Sequence, residues 1–214
     1  MRILAINTAW PGCDVAVIDG DRVLAERRED MARGQDARLP SLVQETLNEA
    51  KLAFADLNRL AVITGPGSFT GIRLGVAFAR GLALALKIPC LGITSLEASL
   101  PIGQPGSSLV LLAAQRRPPD LTFWVQGFRN GVATAPPDEV TMDALIDQLE
   151  AHPHILFGDG AAIMQAASNL NVTEAQASAV IAAKLASERN PDSAPPRPVY
   201  VRAPDAKPRH PITP

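Results

Sequence analysis

Leu60-Ala61-Val62-Ile63-Thr64-Gly65-Pro66-Gly67-Ser68-Phe69-Thr70-Gly71-Ile72-Arg73-Leu74-Gly75 carries the chain from an apolar tetrad, through a glycine-proline loop, into an apolar stretch that continues to about Leu86. A short apolar run bounded by Gly and Pro reads as a strand covered on both faces, and the longer stretch after it reads as a helix. Glycines at such a junction permit positive φ and close approach of another group. The helix N-terminus adds free N–H groups and a positive dipole end, so Gly65, Gly67, Ser68 and Thr70 form a candidate phosphate cradle. The loop lacks the Gly-Lys-Ser/Thr ending of a P-loop, and Thr70 stands where a dinucleotide fingerprint needs its third glycine; a tight turn is the competing reading. In the helix, Gly71, Gly75 and Ala79 lie one turn apart and make a smooth stripe, while Ile72, Val76, Phe78, Leu82, Leu84 and Leu86 spread over the rest of the surface. Such a helix is expected either at the centre of its domain or under a partner.

Towards the N-terminus, Ile3–Ile6, Val15–Ile18 and Val23–Ala25 read as strands, with Asp19-Gly20-Asp21 as a hairpin turn between the last two. Leu39, Leu42, Val43, Leu47 and Ala50 recur at spacings that predict an amphipathic helix over Leu39–Leu52. After the glycine-rich helix, Leu91–Ile93 is a strand, and Thr94-Ser95-Leu96-Glu97 reads as a capping box. The order β-β-β-α-β-α-β-α implies a mixed sheet with helices on its faces.

Residues 101 to 108 are rich in Pro, Gly and Ser, which places a domain boundary there, with one lobe over 1–102, a second over 108–205 and a tail over 206–214. Beyond it, Leu109–Ala114 and Leu121–Phe128 read as strands, Thr141–Ala151 as a helix capped by Thr141, and Ile155–Phe157 as a short strand. Gly158-Asp159-Gly160 is expected to turn into another helix, and Ala175–Arg189 to form a third. The proline-dense end from Asn190 is expected to be extended or partly disordered apart from Val199–Arg202. A reduced second copy of the first α/β unit fits this order.

The chain has 214 residues, with 20 Lys plus Arg against 22 Asp plus Glu and a formal net charge of −2, which argues against a generally basic nucleic-acid binder. Cys13 and Cys90 are too few for a disulfide framework or a zinc site, so a reducing, cytoplasmic setting is expected. No secretory signal and no membrane span is expected, since Ile72–Leu86, the nearest approach to a span, is broken by Arg73 and Arg80. His152 and His154 flank Pro153 without a third ligand nearby and read as loop residues, as does His210. No Ser-His-Asp or Cys-His set presents itself. Asp14, Asp19 and Asp21 could serve as acids or metal ligands, but turns also select aspartate.

The glycine-loop segment, continued by Ala79-Arg80-Gly81-Leu82-Ala83, resembles the signature of the TsaB (YeaZ) family of bacterial tRNA threonylcarbamoyladenosine biosynthesis proteins. Ile3-Leu4-Ala5-Ile6-Asn7-Thr8, Ser95-Leu96-Glu97-Ala98 and Pro198-Val199-Tyr200-Val201-Arg202-Ala203-Pro204 are similar to the same family. The resemblance implies an actin-like ATPase, sugar kinase and heat-shock type fold, α/β with two mixed-sheet lobes, the second reduced. It implies a non-catalytic partner of the larger TsaD-type transferase, with a TsaE-type ATPase joining the pair and tRNA met through the complex. The group transferred is threonylcarbamoyl, onto the adenosine beside the anticodon. It also implies an interface, as homodimer or heterodimer, on the two first-lobe helices, with Leu39, Leu42, Val43, Thr46, Gly71, Gly75, Val76, Ala79 and Leu82 as its residues. Gly65, Gly67, Ser68 and Thr70 would then be a vestigial nucleotide loop.

Two departures bear on catalysis. Where nucleotide-binding members carry an acid after the first strand, this chain has Asn7, a weaker ligand for a divalent cation. The transferase's metal-binding histidine pair has no counterpart in Gly34-Gln35-Asp36-Ala37-Arg38. The expectation is therefore no catalytic residue, no metal and no cofactor. An ATP-dependent small-molecule kinase of the same fold, a metallopeptidase and a plain interaction module are the alternatives.

Overall fold

The structure, a computed structural model, describes residues 1–115, 121–151, 155–158 and 172–201. Strands β1 (Arg2–Asn7), β2 (Gly12–Asp19) and β3 (Arg22–Asp30) form an antiparallel meander, and β4 (Arg59–Ile63) and β5 (Cys90–Ile93) add in parallel to give the order β3-β2-β1-β4-β5. Helices α1 (Gln35–Glu49) and α2 (Phe69–Leu86) follow β3 and β4, and the short α3 (Ser95–Ala98) follows β5. The apolar runs of β1, β2 and β4 are buried because the sheet is covered on both sides.

The second sheet has the same plan. Among the described residues β6 (Ser107–Gln115), β7 (Thr122–Arg129), β8 (Val132–Ala133), β9 (Asp138–Thr141), β10 (Ile155–Gly158) and β11 (Val172–Glu174) take the order β11-β10-β6-β7-β8, with β9 also on β7. The first strand, β6, again lies centrally, antiparallel to the next strand, β7, and parallel to a later one, β10. Helix α4 (Met142–Ala151) precedes β10. Both lobes are α/β units of the actin-like ATPase and sugar kinase type, the second being shorter.

Several expectations shift. β3 runs to Asp30 rather than Ala25, and its outer half, Glu26–Asp30, is charged throughout and held by ion pairs to α1: Arg27 pairs with Glu45 and Glu49, and Glu29 with Arg38. Helix α1 starts at Gln35, ahead of the expected Leu39, behind a left-handed Gly34 (φ 87°); Pro40 lies exposed inside it. The hairpin at Gly20 and the Thr94–Glu97 capping box form as expected, with Glu97 N–H 3.1 Å from Thr94 Oγ1 and Thr94 N–H 2.9 Å from Glu97 Oε2. The third late helix, α5 (Ala179–Glu188), is shorter than Ala175–Arg189, with Ser178 accepting from Val180 and Ile181 N–H as its cap. Val199 N–H bonds Thr64 O at 2.8 Å, tying the proline-dense end to the first lobe. His152, His154, His210, the helix after Gly160 and the tail lie outside the described residues.

The larger correction concerns where α5 sits. The sequence division assigns it to 108–205, yet Ala179, Ala182, Ala183 and Ala186 belong to the first-lobe core, packed on β1, β2 and β4. A run of small residues lets a helix lie close on a sheet, and opposite charges hold its two ends. Asp14 Oδ2 accepts from Ala179 N–H at 2.8 Å at the N-terminus, and the Arg59 guanidinium donates to the Ala186 and Arg189 carbonyls at the C-terminus. Both placements complement the helix dipole. Asn7 and Asp14, on the α5 face, alternate along the chain with Thr8 and Cys13 on the other, where Cys13 meets α1 and Thr8 meets α2, so α1 and α2 share one face and α5 covers the opposite one.

Candidate functional site

The glycines of the loop and of α2 answer to the chain's own backbone. A Cβ on Gly67 would lie 2.2 Å from Ala9 O, one on Gly71 1.9 Å from Thr8 O, and one on Gly75 2.3 Å from Thr8 Oγ1. The turn after β1 therefore rests directly on the start of α2. Thr8 Oγ1 donates to Gly71 O at 2.7 Å, and Ser68 N–H donates to Ala9 O at 2.7 Å. Ser68 Oγ caps the helix by accepting from Gly71 N–H, and Gly65 holds a left-handed φ of 105° before a cis bond to Pro66. The Ser68 and Gly71 N–H groups are thus engaged within the chain. Gly67 and Ser68 face the space between the lobes, whereas Thr70 is exposed on the helix surface.

That space is a cleft of about 450 Å³ lined on one side by Asn7, Trp10, Arg28, Ser68 and Ser95 and on the other by Leu112, Trp124 and Gln176. Both tryptophans of the chain line it, which is the signal the sequence offered and which was missed. Arg28 lies 3.8 Å over the Trp10 ring, donates to Gln176 Oε1, and sits 3.8 Å from Asp14 Oδ2. Among the described residues the lining contains no Asp, Glu, His, Lys, Cys or Tyr.

Asn7 does not fit a divalent cation. It is fully buried, its Oδ1 accepts from Ala9 N–H at 3.0 Å, and its Nδ2 donates to Ala177 O at 2.9 Å, so both ends of the amide are used in joining the first strand to the segment before α5. No group of three or more His, Cys, Asp or Glu suits a metal among the described residues. The turn reading holds for Asp19 and Asp21 at the hairpin but not for Asp14, which is fully buried in β2. Burial pushes its carboxyl up to about 6 against the pull of the Ala179 N–H and Arg28. Glu97 is moved the other way: burial raises it, but the Arg189 ion pair at 2.7 Å and the Thr94 bonds outweigh that and lower it.

The expected interface residues are mostly interior. Leu39, Leu42, Val43, Thr46 and Ala79 have no exposure, Val76 has 4%, and Gly71 and Gly75 are buried; only Leu82 is partly exposed. Thr46 even satisfies its hydroxyl inside, on Leu42 O at 2.7 Å. The small-residue stripe marks the approach of the Thr8–Ala9 turn, so the surface of α2 is its other face. That face is unusually apolar: α2 has a mean hydropathy of 1.4, enough by length and composition to cross a membrane, yet only 33% of it is buried. Leu84 is 81% exposed.

Comparison with known proteins agrees with this architecture. Residues 28–140 match the family model described as tRNA N6-adenosine threonylcarbamoyltransferase, TsaD. The chain is 37% identical to the tRNA threonylcarbamoyladenosine biosynthesis protein TsaB of Escherichia coli over 62% of its length, and 32% identical to that of Bacillus subtilis over 70%. These matches span 58% and 65% of the two relatives. The crystal structure of YeaZ from Pseudomonas aeruginosa superposes with a TM-score of 0.69 over 93% of this chain and 99% of that one, at 21% identity. With its two-lobed fold, its glycine-packed first-strand turn and these relatives, the chain belongs to the TsaB (YeaZ) family, within the fold of the TsaD transferase.

Proposed function

We propose that the protein is a non-catalytic partner of a TsaD-type transferase in the threonylcarbamoylation of tRNA adenosine, with tRNA and a TsaE-type ATPase met through the complex. The observation that carries this reading is the interlobe cleft. In the corresponding place an enzyme needs a general acid or base within hydrogen-bonding reach of its substrate, or a metal to polarise it. The described lining offers only amides, hydroxyls, indoles and one arginine, already engaged with Trp10 and Gln176. The amide of Asn7 closes the position after β1. What the chain offers instead is surface, the exposed apolar face of α2, as the contact for the transferase subunit.

Reconstitution tests the proposal. The purified chain, the TsaD-type and TsaE-type subunits, threonylcarbamoyl-adenylate, ATP and unmodified tRNA are combined with each protein omitted in turn. Modified nucleoside is expected only when this chain and the transferase are both present. Turnover by this chain alone would refute the non-catalytic role, and full turnover in its absence would refute the partnership.

A further inference from the structure

Among the described residues seven buried side-chain nitrogen or oxygen atoms lack a hydrogen-bond partner, and three of them, Trp10 Nε1, Ser95 Oγ and Trp124 Nε1, belong to residues lining the interlobe cleft. A buried polar group without a partner is uncommon and calls for an explanation. Indole N–H groups only donate, so whatever completes them is an acceptor. Trp10 and Ser95 come from the first lobe, and Trp124 from β7 of the second. Ser95 is only 2% exposed. Arg28 adds a cation to the same wall. Its guanidinium is stacked on Trp10, its side chain keeps 32% exposure, and of its five N–H donors one hydrogen bond is drawn, to Gln176. The acid beside it, Asp14, is wholly buried 3.8 Å away and gives the same oxygen to Ala179 N–H. The remaining wall, with Ala9, Pro11, Pro66 and Leu112, is apolar.

We propose that the cleft holds a small organic acid with an apolar body, its carboxylate on the Arg28 fork and its body between the lobes, against Trp124 and Leu112. A guanidinium presents paired N–H groups in the plane a carboxylate needs, and stacking on Trp10 fixes that plane beforehand. The volume of about 450 Å³ suits a ligand of this size. The three orphaned atoms are covered in this structure, so an acceptor reaches them by a turn of the side chains that carry them. A free amino acid is a poor occupant, because the described lining has no carboxylate for its ammonium. A metal-bound nucleotide fits no better, since the amide of Asn7 is committed at both ends and Ser68 and Gly71 N–H are engaged. This site goes beyond the partner role and does not depend on it. With no acid, base or metal in reach, the ligand is bound and not converted.

The chain carries its own probe, because its two tryptophans both line the cleft and their fluorescence reports on it. The full chain is titrated with 3-phenylpropionate, with the neutral 3-phenylpropionamide, with phenylalanine, which adds only the ammonium, and with ATP and magnesium. The acid should change the fluorescence saturably with a Kd of about 1 mM or tighter, as expected for a ligand of this size. The amide and phenylalanine should bind about tenfold more weakly or not at all. Arg28→Lys keeps the charge but loses the fork and should raise Kd about tenfold. Ser95→Ala should raise it about threefold, and this variant carries the test if Arg28→Lys fails to keep the parent's circular dichroism. No saturable change with the acid would overturn the site. An amide that binds as tightly as the acid would remove Arg28 as the anchor and overturn it equally. So would ATP that displaces the acid at lower concentration, or folded Arg28→Lys and Ser95→Ala variants that bind like the parent.

Discussion

Two glycines in α2 should respond to alanine with opposite signs. At Gly71 a new Cβ would stand 1.9 Å from Thr8 O, so the two must part by at least 1.1 Å (3.0 − 1.9) to reach the shortest separation real Cβ atoms tolerate. The Thr8 turn cannot give way freely. It is held by Thr8 Oγ1 on Gly71 O, by Asn7 Oδ1 on Ala9 N–H and by Ser68 N–H on Ala9 O. Overpacking of this kind costs about 1–3 kcal/mol, and loss of one or two of those bonds adds about 1 kcal/mol each. Better helix propensity returns about 1 kcal/mol, leaving Gly71→Ala destabilised by roughly 1–4 kcal/mol. At Gly81, nothing lies within 4 Å of the added methyl and the position is exposed. Gly81→Ala should therefore gain up to about 1 kcal/mol. In thermal and urea unfolding of the full chain, the melting temperature should fall by roughly 2 to 15 °C for the first variant and rise by about 2 to 4 °C for the second. A Gly71→Ala protein as stable as the parent would refute the claim that this glycine exists for backbone contact.

Three further outcomes follow from buried polar groups. Burial raises the Asp14 carboxyl from 3.8 to about 6, so the folded protein binds this proton more tightly; stability from this group should fall as pH rises from about 4 to 6, by up to about 3 kcal/mol, and level off above. Urea unfolding of Asp14→Asn beside the parent at several pH values isolates it, and an identical pH dependence in both proteins would contradict it. Asn7→Asp deletes the donor to Ala177 O and adds a charge beside Asp14, its cross-strand neighbour, which should lower the melting temperature by roughly 5 to 15 °C without creating ATP hydrolysis. An unchanged melting curve would count against the joining role of the amide. Burial raises the thiols of Cys13 to about 11 and Cys90 to about 12, so iodoacetamide at pH 8 should label both far more slowly than a free thiol, until urea unfolds the chain; fast labelling of the native protein would contradict it.

Much of the fold was legible because its signals are local. The Asp19-Gly20 turn, the Thr94–Glu97 box, and the apolar runs of β1, β2 and β4 depend on residues a few positions apart. Asn7 was visible as a departure, though its part in joining the first strand to residue 177 was not. The cleft brings Asn7, Trp10 and Arg28 to Trp124 and Gln176, and no spacing rule connects residues so distant along the chain.

For α2, sequence determined that the helix has two apolar faces with a small-residue stripe on one, and it could go no further. Periodicity separates the faces of a helix only when they differ in polarity, and here both are apolar. Tertiary structure decided which one is buried: the turn of Thr8 and Ala9 occupies the glycine stripe at a distance no other residue permits, leaving Ala77 and Leu84 outside. It likewise decided that α5 completes the first lobe, since Asp14 and Arg59, far from it in sequence, supply the charges its two ends require.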